Sequence, residues 1–168
     1  KLRYEFSKFR TIVTCTVPVN CTLSAADTKQ MRATRLAAEP IFTRLMEGNN
    51  GAVTPHSLTA CFNEPGDALH AAHELALLLN AANVDHSGIA VHSGEVIESE
   101  QIFFGEPVLV SLQLAALYHS SQSITVTTKA YDSVAATRLK TFRRRKMAVV
   151  STHLGVREVD CFIIPLIS

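Results

Sequence analysis

The middle of this 168-residue chain lacks permanent positive charge. No lysine or arginine occurs from Leu45 to Thr128, although this segment of 84 residues contains nine carboxylates. All 16 strong cations lie outside it, eight before and eight after. Lysine and arginine are the side chains that usually hold phosphate. Any nucleotide handled by this half of the chain must therefore draw its cations from elsewhere.

Long hydrophobic runs and closely spaced cysteines are also missing. The most apolar long segment, Pro107–Tyr118, has 12 residues, whereas a membrane-spanning helix needs about 18 or more. Cys15, Cys61 and Cys161 lie in strand-like runs, which predicts reduced core thiols rather than a disulfide framework or a metal site. The cysteine pattern therefore indicates a cytoplasmic domain.

Composition and charge set the class of protein. The chain is 47% hydrophobic and 18% charged, which is typical of a globular domain. A net charge of +1 predicts no general attraction to nucleic acid. We expect residues 1–168 to form a single domain cut from a larger protein. That larger protein can itself be membrane-bound, but this segment supplies no membrane span.

Apolar periodicity and turn signals predict an α+β fold. The predicted strands are 11–19, 52–54, 57–62, 87–92, 96–104, 123–127, 147–150 and 159–165. The predicted helices are about 24–47, 65–83, 107–119 and 129–136. Pro40 predicts a kink or break in the first helix near Glu39, and Ser93–Gly94 predicts a turn. The third helix is apolar on nearly all sides, so we expect it to be buried.

Five short stretches carry a recurring pattern of strands, turns and helix starts. They are Thr11–Thr22, Ala60–Leu69 (ACFNEPGDAL), His86–Val96 (HSGIAVHSGEV), Phe104–Leu114 (FGEPVLVSLQL) and Ser123–Tyr131 (SITVTTKAY). In order and spacing they resemble the catalytic domain of class III nucleotidyl cyclases, the adenylyl and guanylyl cyclases, over about residues 10–165. His92 falls where that family has a histidine at a strand end, which predicts a role in the fold.

The resemblance implies a fold, an assembly and a chemistry. The fold is a class III cyclase-like sandwich with a ferredoxin-like βαββαβ core, in which helices flank a mainly antiparallel central sheet. Such cyclases work as dimers with active sites at the subunit interface. Two aspartates bind two metal ions, and a lysine with an aspartate or threonine reads the purine. An asparagine and an arginine on the third helix and a late lysine stabilise the reacting ribose and phosphates.

Almost none of these functional groups is present at the matching positions. The matching residues are Val17 and His56 for the metal aspartates, Ala52 and Ile102 for the purine readers, Leu109 and Gln113 for the helix residues, and His153 for the late lysine. No Asp or Glu occurs in 11–22 or in 48–62. Because Mg²⁺ and Mn²⁺ need oxygen ligands, we expect no metal, no cofactor and no catalytic residue.

A basic run near the end of the chain is its strongest charge feature. Its cations are Arg138, Lys140, Arg143, Arg144, Arg145 and Lys146. The run predicts either a solvated hairpin arm or a contact for an acidic partner, a phosphoinositide head group or nucleic acid. With one aromatic residue and no opposing basic stripe, the solvated arm is the favoured interpretation, and we expect no nucleic-acid partner.

Three functions follow from the resemblance. The favoured one is a catalytically inactive dimerisation or regulatory module of a larger signalling or transport protein, as a homodimer or a heterodimer. The alternative is a small-molecule sensor that uses the altered cleft around Val17, His56 and Leu109. A divergent active cyclase would need carboxylates from Glu95 or its neighbours Glu98 and Glu100 in the cleft.

Overall fold

The computed structural model describes residues 7–16, 25–45, 50–53, 57–82, 88–99, 102–117, 123–132, 144–152 and 155–166. Its first six elements follow the order strand, helix, strand, strand, helix, strand. These six elements are β1 Ser7–Thr16, α1 Ala25–Leu45, β2 Asn50–Val53, β3 Ser57–Phe62, α2 Pro65–Ala81 and β4 Gly88–Ser99. The remaining six are β5 Ile102–Phe104, α3 Glu106–Leu117, β6 Ser123–Thr127, α4 Thr128–Asp132, β7 Arg144–Thr152 and β8 Gly155–Pro165.

One sheet contains all eight strands. Its order is β2-β3-β1-β4-β6-β8-β7, and β5 pairs with β4 outside this path. Every pair is antiparallel except β4 with β6. The segment β2-β3-β1-β4 has the strand order of a ferredoxin-like core. The predicted α+β fold with a mainly antiparallel sheet is therefore confirmed.

Helices α1 and α2 cover one face of the sheet. The apolar stripe predicted for α2 is buried in full, at Ala68, Ala72, Leu75, Ala76 and Leu79. It packs against strand residues of β1, β3, β4 and β6, which alternate in pointing toward this face. Burying leucines of this kind contributes about 2 kcal/mol each. This face holds the largest part of the hydrophobic core.

Helix α3 packs on the opposite face, but only one side of it is buried. Val110, Leu114 and Ala115 contact the sheet, whereas Leu109, Leu112 and Leu117 are exposed. The expectation that the whole helix is buried is therefore wrong. Its apolar composition exceeds what one sheet face can cover, and the described part of the chain places no second layer over it.

Two predicted interruptions are absent. Helix α1 runs without a break through Pro40. Pro40 cannot donate a hydrogen bond to the Leu36 carbonyl, but both residues lie on the exposed side of the helix, so this lost bond falls on the solvent side. Strand β4 also continues through Ser93–Gly94, where we predicted a turn. Ser93 pairs with Thr11 on β1, and their hydroxyl oxygens lie 2.8 Å apart. The remaining predicted strands match described ones, with differences at their ends.

The cysteines agree with the prediction. Cys15, Cys61 and Cys161 are reduced and buried in the sheet. None of the helices in the described ranges combines the length and apolarity that crossing a membrane requires.

Candidate functional site

A cavity of about 770 Å³ opens beside the second half of β4. Its walls come from β1, β4 and β5, from the start of α3, and from single residues of α4 and β8. Phe103 and Pro107 form apolar parts of the wall, while His92, Lys129 and Arg157 bring nitrogen groups to it. A volume in this range suits a small-molecule ligand.

The cavity exists because two strands leave a gap along one edge of β4. Strand β6 pairs with β4 at Ala90 and Val91, and β5 pairs with it from Ile97 to Ser99. Between these pairs, residues 92–96 have no strand partner on that side among the residues that the structure describes. Groups that a continuous sheet would cover therefore line the cavity.

His92 is the most deeply buried polar side chain of the wall, with 3% of its surface exposed. Its Nδ1 lies 2.8 Å from Thr127 Oγ1, which also accepts a hydrogen bond from the Ala130 backbone N–H at 3.2 Å. Burial, and then the positive charges of Lys129 and Arg157, lowers the pKa of His92 from 6.5 to about 3. The imidazole is therefore neutral at physiological pH.

Two cations and two carboxylates line the rest of the cavity. Arg157 Nη1 is ion-paired with Glu106 Oε1 in the first turn of α3, where the helix dipole also favours a carboxylate. The Lys129 ammonium lies 5.8 Å from the centroid of the Phe9 ring. The second carboxylate belongs to Glu95, an exposed residue. The charges of the wall are therefore close to balanced.

Two glycines let α3 approach the sheet beside the cavity. A Cβ at Gly94 would lie 2.5 Å from Pro107 Cγ, and a Cβ at Gly88 would lie 1.8 Å from the carbonyl oxygen of Ala115. Either distance is shorter than real contacts allow. Gly94, which the sequence suggested as a turn residue, therefore serves helix packing within a continuous strand.

Gln113 ties α3 to β7. Its Nε2 donates to the Ser151 carbonyl oxygen, and the Ser151 backbone N–H donates to Gln113 Oε1 at 2.8 Å. Both ends of the amide are thus engaged by a single residue of the sheet. Gln113 does not line the cavity.

Solved structures with this architecture are nucleotidyl cyclases. An adenylate/guanylate cyclase/hydrolase from Silicibacter pomeroyi superposes with a TM-score of 0.71 at 15% identity, covering 96% of this chain and 98% of that one. A Trypanosoma brucei adenylate cyclase in its monomeric state gives 0.72 at 13% identity, covering 93% and 89%. The guanylate cyclase domain of RhGC from Catenaria anguillulae, in complex with GTP, gives 0.64 at 11% identity, covering 95% and 97%.

The chain has the class III cyclase fold. The resemblance recognised in its sequence is confirmed at the level of the fold. Neither a protein-family model nor a curated protein matches the chain.

Few of the positions matched to cyclase functional residues come together at the cavity. Leu109 lines it and is 40% exposed. Ile102 of β5 pairs with Ser99 of β4 at the rim of the cavity. Ala52 lies in β2, the strand at the edge of the sheet, and pairs with Thr59 of β3. Val17, His56 and His153 lie outside the described residues.

The residues near the ends of β1 and β3 do not fit the two metal ions of the cyclase family. The chain has Thr16 and Val17 at one of these places and His56 and Ser57 at the other, so neither offers a carboxylate. Within the ranges the structure describes, no three His, Cys, Asp or Glu side chains lie together as metal ligands would. Two hard divalent cations are usually held by carboxylates, which these residues do not supply.

The basic run is only partly described. Arg144, Arg145 and Lys146 begin β7 and pair with Ile163, Phe162 and Cys161 of β8, at the outer edge of the sheet. Arg138, Lys140 and Arg143 lie outside the described residues. Arg144–Lys146 therefore lie in a hairpin, while the solvated arm and the contact with an acidic partner stay predictions.

The cavity contains polar residues that the sequence did not indicate as a site. His92 was expected to support the fold, and its bond to Thr127 does so. Lys129 and Arg157 stand apart in the sequence, and the pairing of Thr127 with Cys161 brings α4 and β8 together. Only the position of Lys129, directly after the cation-free segment, hinted at its importance.

A second polar cluster lies under β5 and has a structural character. The Cys61 thiol donates to Glu98 Oε1 at 3.2 Å, and Arg10 Nε donates to Glu98 Oε2 at 3.4 Å. Burial, followed by the hydrogen bond to Glu98, raises the pKa of Cys61. The thiol is therefore protonated and lacks the character of a nucleophile.

Proposed function

We propose that this chain is a catalytically inactive cyclase-fold domain that dimerises and regulates a larger signalling or transport protein. The observation that carries the proposal is Gln113. It stands where the cyclase family has the arginine that stabilises the transition state, and both ends of its amide bind Ser151. A side chain held in this way supports the helix and has neither the charge nor the freedom to act on phosphate.

The chemistry of the other positions supports the same proposal. Leu109 places a hydrocarbon where the family has an asparagine, and Val17 and His56 replace metal-binding aspartates. Polyphosphate chemistry in this fold depends on metal ions and cations together. Losing both sets removes the means of stabilising the leaving group, so a divergent active cyclase is the weaker alternative.

The exposed face of α3 supports dimerisation. Leu109, Leu112 and Leu117 are 40%, 36% and 52% exposed, and Phe104 just before the helix is 52% exposed. Such adjacent apolar side chains commonly mark interaction sites. The cyclase family uses this region of the fold for its dimer interface, which makes a second cyclase-fold domain the expected partner, in a homodimer or a heterodimer.

An activity assay tests the catalytic part of the proposal. The purified chain is incubated with Mn²⁺ and either ATP or GTP, and cyclic nucleotide is measured beside an active cyclase of the same fold. We expect no product above the background without protein. Turnover that increases with the amount of protein would contradict the proposal.

A pair of matched variants tests the dimer. Leu112 on α3 and Leu77 on α2 are similarly exposed, at 36% and 40%, but lie on helices that cover opposite faces of the sheet. In sedimentation equilibrium we expect a concentration-dependent dimer that Leu112→Glu abolishes and Leu77→Glu preserves. A wild-type monomer at every concentration would exclude the homodimer.

A further inference from the structure

His92 brings to the cavity a ring nitrogen for which the described residues supply no hydrogen-bond partner. Its Nδ1 faces Thr127 Oγ1, whereas its Nε2 makes no hydrogen bond with the part of the chain that the structure describes. Polar groups of this kind are usually satisfied by protein, water or a ligand. The His92 ring is 3% exposed and lines an open cavity, so a further hydrogen-bond partner for Nε2 has to come from that cavity.

Thr127 is placed to donate its hydroxyl hydrogen to His92 Nδ1. Its Oγ1 lies 2.8 Å from Nδ1 and also accepts a hydrogen bond from the Ala130 N–H. In the tautomer in which Nδ1 accepts, the neutral imidazole carries its proton on Nε2 and presents an N–H donor to the cavity.

Lys129 and Arg157 bring positive charge to the same cavity from two separate elements. Both act on the His92 ring strongly enough to disfavour its protonation. Arg157 uses Nη1 in its pair with Glu106, and a guanidinium has five N–H donors in total. The wall therefore combines a neutral donor with two cationic ones.

We infer that this cavity binds a small organic anion, whose carboxylate or phosphate group accepts a hydrogen bond from His92 Nε2 and pairs with Lys129 and Arg157. The apolar body of the ligand packs against Phe103 and Val108, which line the same cavity. The inference does not rest on the proposed function, because it requires no dimer and no assumption about catalysis. Of the described positions matched to cyclase functional residues, only Leu109 lines this cavity.

The carboxylates of the wall limit the charge of the ligand. Glu106 is neutralised by Arg157, and Glu95 lies at the exposed side of the cavity. A ligand with many negative charges, such as a triphosphate, would face repulsion that two cations do not offset. The balance favours a molecule with one carboxylate or one phosphate group.

A titration with four probes that share one aromatic ring tests the inference. Benzoate and phenyl phosphate are anions, benzyl alcohol is neutral and benzylamine is a cation, and each is added to the 168-residue chain at pH 7.5. Binding is followed by the NMR signals of the His92 ring. We expect both anions to bind and to shift the Nε2–H signal, while the neutral and cationic probes bind at least about tenfold more weakly.

Charge-removing variants assign the site. Lys129→Gln and Arg157→Gln are each expected to weaken benzoate binding about tenfold, the loss typical of one charge-assisted hydrogen bond. Arg10→Gln is the matched control, because Arg10 is also ion-paired, to Glu98, but does not line the cavity. Arg157→Lys keeps the charge and should retain most of the affinity. A normal circular dichroism spectrum shows that each variant is folded.

Several outcomes would overturn the inference. Equal affinity for benzyl alcohol would mean a purely apolar pocket, and preference for benzylamine would mean that Glu95 and Glu106 dominate. Equal weakening by Arg10→Gln would mean general electrostatic attraction. The absence of anion binding at millimolar concentrations would refute the site directly, whatever the cyclase assay shows.

Discussion

Burying His92 in neutral form makes the stability of the fold depend on pH. The pKa of His92 is lowered from 6.5 to about 3, first by burial and then by Lys129 and Arg157. Between these two values the unfolded chain binds a proton that the folded chain does not, so acid favours unfolding. The stability linked to His92 is present above pH 6.5 and is lost as the pH falls toward 3. From pH 7.5 to 4.5 the loss amounts to about 3 kcal/mol.

Urea unfolding at several pH values between 4.5 and 7.5 measures this loss. Carboxylates titrate over the lower part of the same range, so the contribution of His92 has to be isolated by a variant. His92→Asn retains an acceptor near the Nδ1 position that faces Thr127 but has no titrating group. We expect the variant to be less stable at pH 7.5 and to lose about 3 kcal/mol less than the wild type on acidification.

Parallel pH profiles for the two proteins would refute the reasoning. They would mean that His92 becomes protonated in the folded state without cost, through access to water or a nearby carboxylate. NMR of the ring provides an independent check. A neutral imidazole with its proton on Nε2 should persist at pH 4.5, and an imidazolium signal at that pH would contradict both the burial argument and the donor role assigned to Nε2.

Of three further substitutions, two test the packing of α3 and one tests a helix position in α2. Gly88→Ala forces a Cβ to within 1.8 Å of the Ala115 carbonyl oxygen, so denaturant unfolding should show a loss of at least about 2 kcal/mol. Gly66→Ala, with nothing within 4 Å in α2, should instead raise stability by about 0.5 kcal/mol, and a loss there would contradict the helix argument. Gln113→Leu removes both bonds to Ser151 and should cost about 1–3 kcal/mol, with faster hydrogen exchange at the Ser151 amide; unchanged exchange would show that the contact is not made in solution.

Regular elements were predictable where local pattern and tertiary environment agree. Helix α2 has an apolar stripe at helical spacing that stays on one face from Ala68 to Leu79, so burial and periodicity point to the same structure. The alternating runs Ser57–Phe62 and Ser123–Thr127 are likewise strands with buried residues. The order of these elements carried the resemblance that led to the correct fold.

Predictions failed where the reason for a residue lies far away in the chain. Gly94 is required because Pro107 packs on it, and a local reading of Ser93–Gly94 finds only a turn signal. Composition shows that α3 is apolar but not which side the sheet covers, so the exposure of Leu109 and Leu112 was missed. The site around His92 depends on a gap between β5 and β6, and strand pairing of this kind is absent from any local pattern.

The topology of the sheet brings cations from the rest of the chain to the half that lacks lysine and arginine. The cavity lies among β4, β5 and α3, which belong to the segment without lysine or arginine. Lys129 is the first cation after that segment, and Arg157 arrives on β8, which pairs with β6. Two cations offset by Glu95 and Glu106 are too few for a polyphosphate with its metals. They suffice for one carboxylate or phosphate group beside a neutral His92, so the proposed binding of a small anion is compatible with the proposed absence of cyclase chemistry in one domain.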